Sequence, residues 1–270
     1  MVFQTYPGHL PRRFGIRTSY LLRSLTSKRP FAIIQMQGKR PFSLRRKPSQ
    51  NKRYEGAADM ITIRNEEERD YKVVEEITRK AFYNLYIPGC AEHYLVHIMR
   101  GHEDFIPELD FVIELDGQVI GNIMYTKARL VDEAGTEKEI LTFGPVSIAP
   151  EYQRRGYGRM LIEHSFEQAV LLGYDVVVIL GSPMNYVGCG FKSSRKLNIC
   201  MENGKYPAAM MVKELVPNQL DGRKWFYYDS PVMAISEEEA QEYDNTLEKM
   251  EKKYQPSQEE FYIMSHAFIE

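Results

Sequence analysis

Cysteine is scarce in this chain. There are three among 270 residues, Cys90, Cys189 and Cys200, and no CxxC pair. An odd, widely spaced set supports neither a disulfide framework nor a zinc site, and it suits a reducing, cytoplasmic location. Long apolar runs are also missing. None approaches the roughly 18 residues that a membrane-spanning helix needs, so no membrane partner is expected. Histidine offers one close pair, His93 and His97, at the i, i+4 spacing of metal ligands. The adjacent Glu of a metalloprotease is absent, so no metal is expected.

Net charge is low, at −2, but it is unevenly spread. Residues 1–59 hold 13 Lys and Arg against two acids, Glu55 and Asp59, for +11; the remainder therefore carries −13. The basic segment is rich in Arg, Lys, Pro, Ser and Gly and has no sustained periodicity, as disordered segments do. Three explanations stay open: a basic arm for nucleic acid or anionic lipid, a transit peptide, or upstream sequence ahead of a true start at Met60. The third is favoured, so nucleic acid is not the expected partner.

From Met60 the patterning becomes regular. Ile61-Thr62-Ile63-Arg64 alternates as a strand does. Asn65 can cap a helix from Glu66 to Tyr86 whose apolar stripe includes Val73, Val74, Ile77, Ala81 and Phe82. Pro88-Gly89 breaks the chain before a second helix near Ala91 to Arg100. Asp116-Gly117 between apolar runs predicts a hairpin of 111–115 with 118–125. Asp175 to Leu180 is a continuous apolar strand of the kind covered on both faces. Trp225 to Tyr228 can form another strand. Ser236-Glu237-Glu238-Glu239 is a capping box that opens a charged surface or interface helix to about Lys253. Glu260 to Glu270 stays unassigned.

The richest stretch is Leu141 to Leu161, LTFGPVSIAPEYQRRGYGRML. It reads as a strand, a tight loop and the first turn of a helix. Pro145 cannot donate to a ladder, so the strand is expected to be bulged or unpaired there. Gly156 and Gly158 let backbone approach a ligand without a Cβ in the way. A helix start offers unpaired N–H groups and a partial positive charge, and Arg154, Arg155 and Arg159 add full charge. Phosphate or pyrophosphate is the natural occupant. The loop lacks the Gly-Lys-Ser/Thr of a Walker motif. Leu161 stands where the dinucleotide fingerprint needs its third glycine.

The sequence V-S-I-x-P-x-x-Q-x-x-G-x-G, followed by an amphipathic helix and an apolar strand, resembles motif A of the GNAT N-acetyltransferase superfamily. The resemblance spans roughly Met60 to Leu215, with Met60-Ile-Thr-Ile-Arg-Asn similar to the family's opening strand. It implies an α/β fold with a mixed sheet and splayed central strands. It also implies a domain at 60–215, a C-terminal extension at 216–270, and acetyl-CoA as co-substrate. By resemblance, Val146, Ser147 and Ile148 take the pantetheine arm. The loop Gln153, Arg154, Arg155, Gly156, Tyr157, Gly158 and Arg159 takes the pyrophosphate.

Asn185-Tyr186-Val187-Gly188-Cys189-Gly190-Phe191 gives the family's spacing of a Tyr five residues before a Gly-Phe. The resemblance therefore assigns Tyr186 as the acid that protonates the leaving thiolate. The connection Gly181 to Tyr186 is shorter than in many members and resembles a bacterial subgroup with truncated helices. Glu114, Glu137, Glu139 and His164 are candidate bases by chemistry alone. The implied activity is acetyl transfer to a primary amine on a small molecule or a protein, and a homodimer is admitted. The alternative is a non-catalytic acyl-CoA-binding module.

Overall fold

The computed structural model describes residues 51–55 and 60–270. The expectation for residues 1–59 falls outside these except at Asn51–Glu55. That stretch forms an edge strand, β1, antiparallel to β2 (Met60–Asn65). The remaining strands are β3 (Phe111–Leu115), β4 (Gln118–Asp132), β5 (Glu137–Ile148), β6 (Val176–Leu180), β7 (Lys192–Ser193), β8 (Ile199–Met201), β9 (Met210–Glu214) and β10 (Trp225–Tyr228). They form one mixed sheet of order β1-β2-β3-β4-β5-β6-β9-β7, with β10 beside β4 and β8. Its helices are α1 (Tyr71–Phe82), α2 (Glu92–Met99), α3 (Tyr157–Leu172), α4 (Pro183–Tyr186), α5 (Glu237–Asn245) and α6 (Pro256–His266). No helix among the described residues is long and apolar enough to cross a membrane.

Local chemistry explains most of these elements. Asp116 and Gly117 both adopt positive φ (51° and 82°), as the two-residue hairpin turn between β3 and β4 requires. Helix α1 holds the whole apolar stripe but begins later and ends earlier than the expected Glu66 to Tyr86. Asn65 stays in β2 and spends its side-chain amide on the carbonyls of Pro107 and Asp110. A short 3-10 turn at Glu68–Asp70 precedes the helix, and Asp70 accepts from the Glu67 N–H (2.9 Å). Helix α5 has the expected cap, Ser236 Oγ accepting from the Glu239 N–H, but ends at Asn245 rather than near Lys253. Segment 216–270 is woven into the fold: β10 extends the sheet along the far half of β4.

The feature that positions the site is the meeting of β5 and β6. They are parallel neighbours joined through α3, yet only Leu141 and Val177 are in register. Beyond that pair the strands diverge. Opposite, between the pairs Ile123–Val146 and Tyr125–Phe143, β5 carries two residues against one in β4. This bulge falls at Gly144-Pro145, where a missing donor makes regular pairing impossible. The largest apolar core, including Phe143, Ile162, Phe166 and Ile179, fills the space under α3.

A second core lies between α1, α2 and α5 and contains a buried polar knot. Asp244 accepts from Arg79 Nε at 2.8 Å and stands 3.3 Å from His93 Nε2. Burial lowers the His93 pKa to about 4. Asp244 and, more weakly, Glu75 oppose that shift, while Arg79 and, more weakly, His97 add to it. The folded state therefore binds fewer protons than the unfolded chain between pH 6.5 and 4. Stability should be fully present above pH 6.5 and fall by about 3 kcal/mol on acidification through that window. Urea unfolding at several pH values measures this slope. His93→Gln should flatten it, and an unchanged slope would mean that His93 is not the group responsible.

Candidate functional site

A cavity of about 630 Å³ opens where β5 and β6 part. Its walls come from β5, the loop into α3, the end of α1, α4 and, unexpectedly, α6. Nine of the eleven site residues expected from the sequence line it: Val146, Ile148, Gln153, Arg154, Gly156, Tyr157, Gly158, Arg159 and Tyr186.

Ser147 and Arg155 do not. Side chains alternate across a strand, and Ser147 points to the opposite face. There its hydroxyl shares a 2.8 Å hydrogen bond with Thr78 of α1. Its backbone faces β4 as well. The Ala149 N–H bonds Ile120 O, and alternation turns the Val146 and Ile148 main-chain groups the other way, into the gap. Arg155 lies over the Tyr152 ring, 5.8 Å from its centroid.

The loop into α3 has the backbone of an anion site. Arg154 and Gly156 both have positive φ, 63° and 94°. Alternation of hand around Arg155 turns successive N–H groups toward one side. The first helical bond runs from Met160 N to Gly156 O (3.1 Å), so the N–H groups just before it have no carbonyl in the helix. Gln153 also braces the loop: its amide donates to Ile148 O at 3.0 Å and pins the turn to the strand end. Arg159 pairs with Glu163 one turn on, at 2.7 Å.

Tyr186 ends the four-residue α4, which Pro183 starts and which follows β6 directly. Its ring packs against Phe143 and Phe191, with centroids 5.7 and 6.0 Å away. A Cβ on Gly181 would come within 2.6 Å of that ring, so the short connection needs glycine there. Burial pushes the phenol above its ordinary range, with Cys189 adding to the effect, so it stays protonated at working pH. Cys189 also lines the cavity; burial raises its thiol, and Arg159 opposes the shift.

None of the four carboxylate and histidine base candidates reaches the cavity. Glu114 is bound to Arg64 (2.6 Å), and Glu139 sits 3.8 Å from Lys127. Glu137 starts β5, and His164 is buried edge-on to Phe111. The residues that sequence reasoning missed are on α6: Ser257, Glu260, Phe261 and Met264 all face the cavity. Pro256 at the first helical position followed by Glu259 and Glu260 was the available signal. Among the described residues no group of three or more His, Cys, Asp or Glu could hold a metal.

Residues 72–187 match the model of the acetyltransferase (GNAT) family. Two solved structures resemble the fold. One is a GNAT family N-acetyltransferase, YhbS, from Escherichia coli in complex with CoA. It is 24% identical with TM-score 0.55, and the match covers 65% of this chain and 93% of that one. The other is a GNAT family acetyltransferase from Brucella melitensis in complex with acetyl-CoA. It is also 24% identical, with TM-score 0.50, covering 64% of this chain and 97% of that one. No curated protein matches the sequence. The diverging β5–β6 pair, the glycine loop opening α3 and the family match agree: residues 72–187 are similar to the acetyltransferase (GNAT) family, and the fold around them is the one seen in the two GNAT structures.

Proposed function

We propose that the protein moves an acetyl group from acetyl-CoA to a primary amine by direct attack, with Tyr186 as the acid, in the cytoplasm. The observation that carries this reading is the single cavity shared by the α3 N-terminus, the gap-facing backbone of β5 and the Tyr186 phenol. The residues suit the carrier. The loop N–H groups and the helix dipole match a pyrophosphate, and Arg154 adds charge. The gap-facing main chain of Val146 and the Ile148 N–H can bond an extended amide chain as a neighbouring strand would. Acetyl-CoA supplies the thioester.

In the transfer, the nitrogen lone pair of a neutral amine forms the new C–N bond as the C–S bond breaks. Tyr186 gives its proton to the departing sulfur and is re-protonated from solvent, and the acceptor nitrogen loses its extra proton to water. A main-chain N–H of Val146 or Ile148 can stabilise the carbonyl oxygen as charge builds. The acidic bulk of the chain beyond residue 59 favours a cationic acceptor.

Release of CoA thiol, followed with a chromogenic disulfide across a panel of primary amines, tests the reading. Amine-dependent release well above hydrolysis is the expected result. Tight acetyl-CoA binding with no release for any amine would instead describe a non-catalytic acyl-CoA-binding module.

A further inference from the structure

The wall built by α6 has no counterpart in the motif that binds the carrier, and its composition is odd for simple packing. Ser257, Glu260, Phe261 and Met264 fall at i, i+3, i+4 and i+7, one stripe of the helix, and that stripe faces the cavity. A stripe that only filled space would be apolar throughout. Here Phe261 lies against the Tyr86 ring (4.8 Å), while Ser257 Oγ is buried with no partner among the described residues. Glu260 makes no ion pair among the described residues.

The charge of the cavity wall is equally telling. Its charged residues are Arg154 and Arg159 at the α3 N-terminus and Glu260 on α6. A carboxylate repels a pyrophosphate, so the Glu260 side of the space is left for the other substrate. Nor is α6 a loose tail. Asn84 accepts from Gln258 Nε2 (3.0 Å) and from the Lys253 N–H (3.1 Å) at one end. At the other, Ala208 N bonds Ala267 O (2.9 Å) and Ile269 N bonds Tyr206 O (2.8 Å). Both ends are fixed to the domain, so the stripe is presented in a set position, and ordering it costs nothing further on binding.

We propose that α6 forms the acceptor subsite and selects a cationic primary amine on an apolar, arylalkyl body. Glu260 takes the arriving ammonium group, which gives one proton to solvent before the neutral nitrogen attacks, and Tyr86, Phe261 and Met264 take the body. The inference rests on the acetyltransferase reading above. A primary ammonium has three donors, and the Glu260 carboxylate accepts one of them in a charge-assisted hydrogen bond. The neighbouring aromatic faces favour both the cation and its hydrocarbon.

The test uses the full chain with phenethylamine and glucosamine as probes. Phenethylamine should have the higher kcat/KM by tenfold or more. Glu260→Gln should raise its KM by about tenfold or more, as for loss of one charge-assisted hydrogen bond, with kcat within about threefold. Calorimetric affinity of phenethylamine for the protein saturated with CoA should fall by the same factor. Acetyl-CoA affinity should be unchanged. Glu259→Gln, one position away and off the stripe, should change nothing. Turnover of amines with KM and calorimetric affinity unaffected by Glu260→Gln overturns this inference and leaves the acetyltransferase standing. Absence of CoA release with phenethylamine while other amines of the panel are acetylated overturns this inference alone; absence with every amine of the panel overturns both.

Discussion

Tyr186→Phe should lower kcat by about 10²-fold while leaving acetyl-CoA affinity within twofold, the effect expected for loss of one positioned acid. The substitution is unusually clean here. The ring is held by Phe143, Phe191 and the Gly181 backbone, all contacts that phenylalanine keeps. No described hydrogen-bond partner of the hydroxyl is stranded by its removal, so folding stability should move little. A phenol raised by burial is a weak acid toward a thiolate in water, but the departing sulfur is not in water. Cys189, on the same cavity wall, shows that burial raises a thiol there as well. A thiolate leaving into equally buried surroundings is made more basic by the same cause. The wild-type pH profile should therefore show no loss of activity in the ordinary tyrosine range that the Phe variant abolishes. The measurement is kcat with the best amine of the panel, under conditions where chemistry limits the rate. Wild-type kcat in the variant would remove Tyr186 from the mechanism and leave solvent as the acid.

The parts of the fold that were legible in the sequence are those fixed by local rules. Asp116-Gly117 forces a hairpin, Gly173 at φ 97° ends α3, and Pro145 forces the bulge. The tight turn into α3 was legible for the same reason: Gly156 takes the positive φ that glycine allows, just ahead of the helix. What was illegible depends on tertiary context. Asn65 is a good cap by type, yet two carbonyls from the 107–110 turn claim its amide. Ser147 sits inside the binding motif, but strand alternation sends its side chain to Thr78 and its main chain to β4. The acceptor wall was out of reach because α6 lies about 70 residues beyond Tyr186 in sequence. Asn84 and Tyr206, which anchor its ends, are polar residues of no distinctive pattern. A chemically sensible base could be drawn from several carboxylates, but only the folded chain shows that Glu114 and Glu139 are already facing Arg64 and Lys127.

Gly158→Val should weaken acetyl-CoA binding by 10²-fold or more without unfolding the protein, and of the two loop glycines it is the one that isolates the ligand. Gly156 has φ 94°, so any side chain there strains the backbone whatever the ligand does. Gly158 carries no such constraint. A Cβ on it would meet Ile148 Cγ1 at 3.6 Å, an ordinary contact, so the protein itself accommodates a side chain at the start of α3. A helical glycine replaced by alanine gains up to about 1 kcal/mol from the unfolded chain's lost freedom. Gly158→Ala should accordingly melt at or above the wild-type temperature while binding the carrier less well. The valine variant should keep its unliganded Tm within a few degrees and lose the rise in Tm that saturating acetyl-CoA produces in the wild type. Opposite movements of intrinsic stability and affinity distinguish a blocked phosphate seat from a damaged helix. If calorimetry found the valine variant binding acetyl-CoA as tightly as the wild type, the pyrophosphate would have to lie elsewhere than against the first turn of α3.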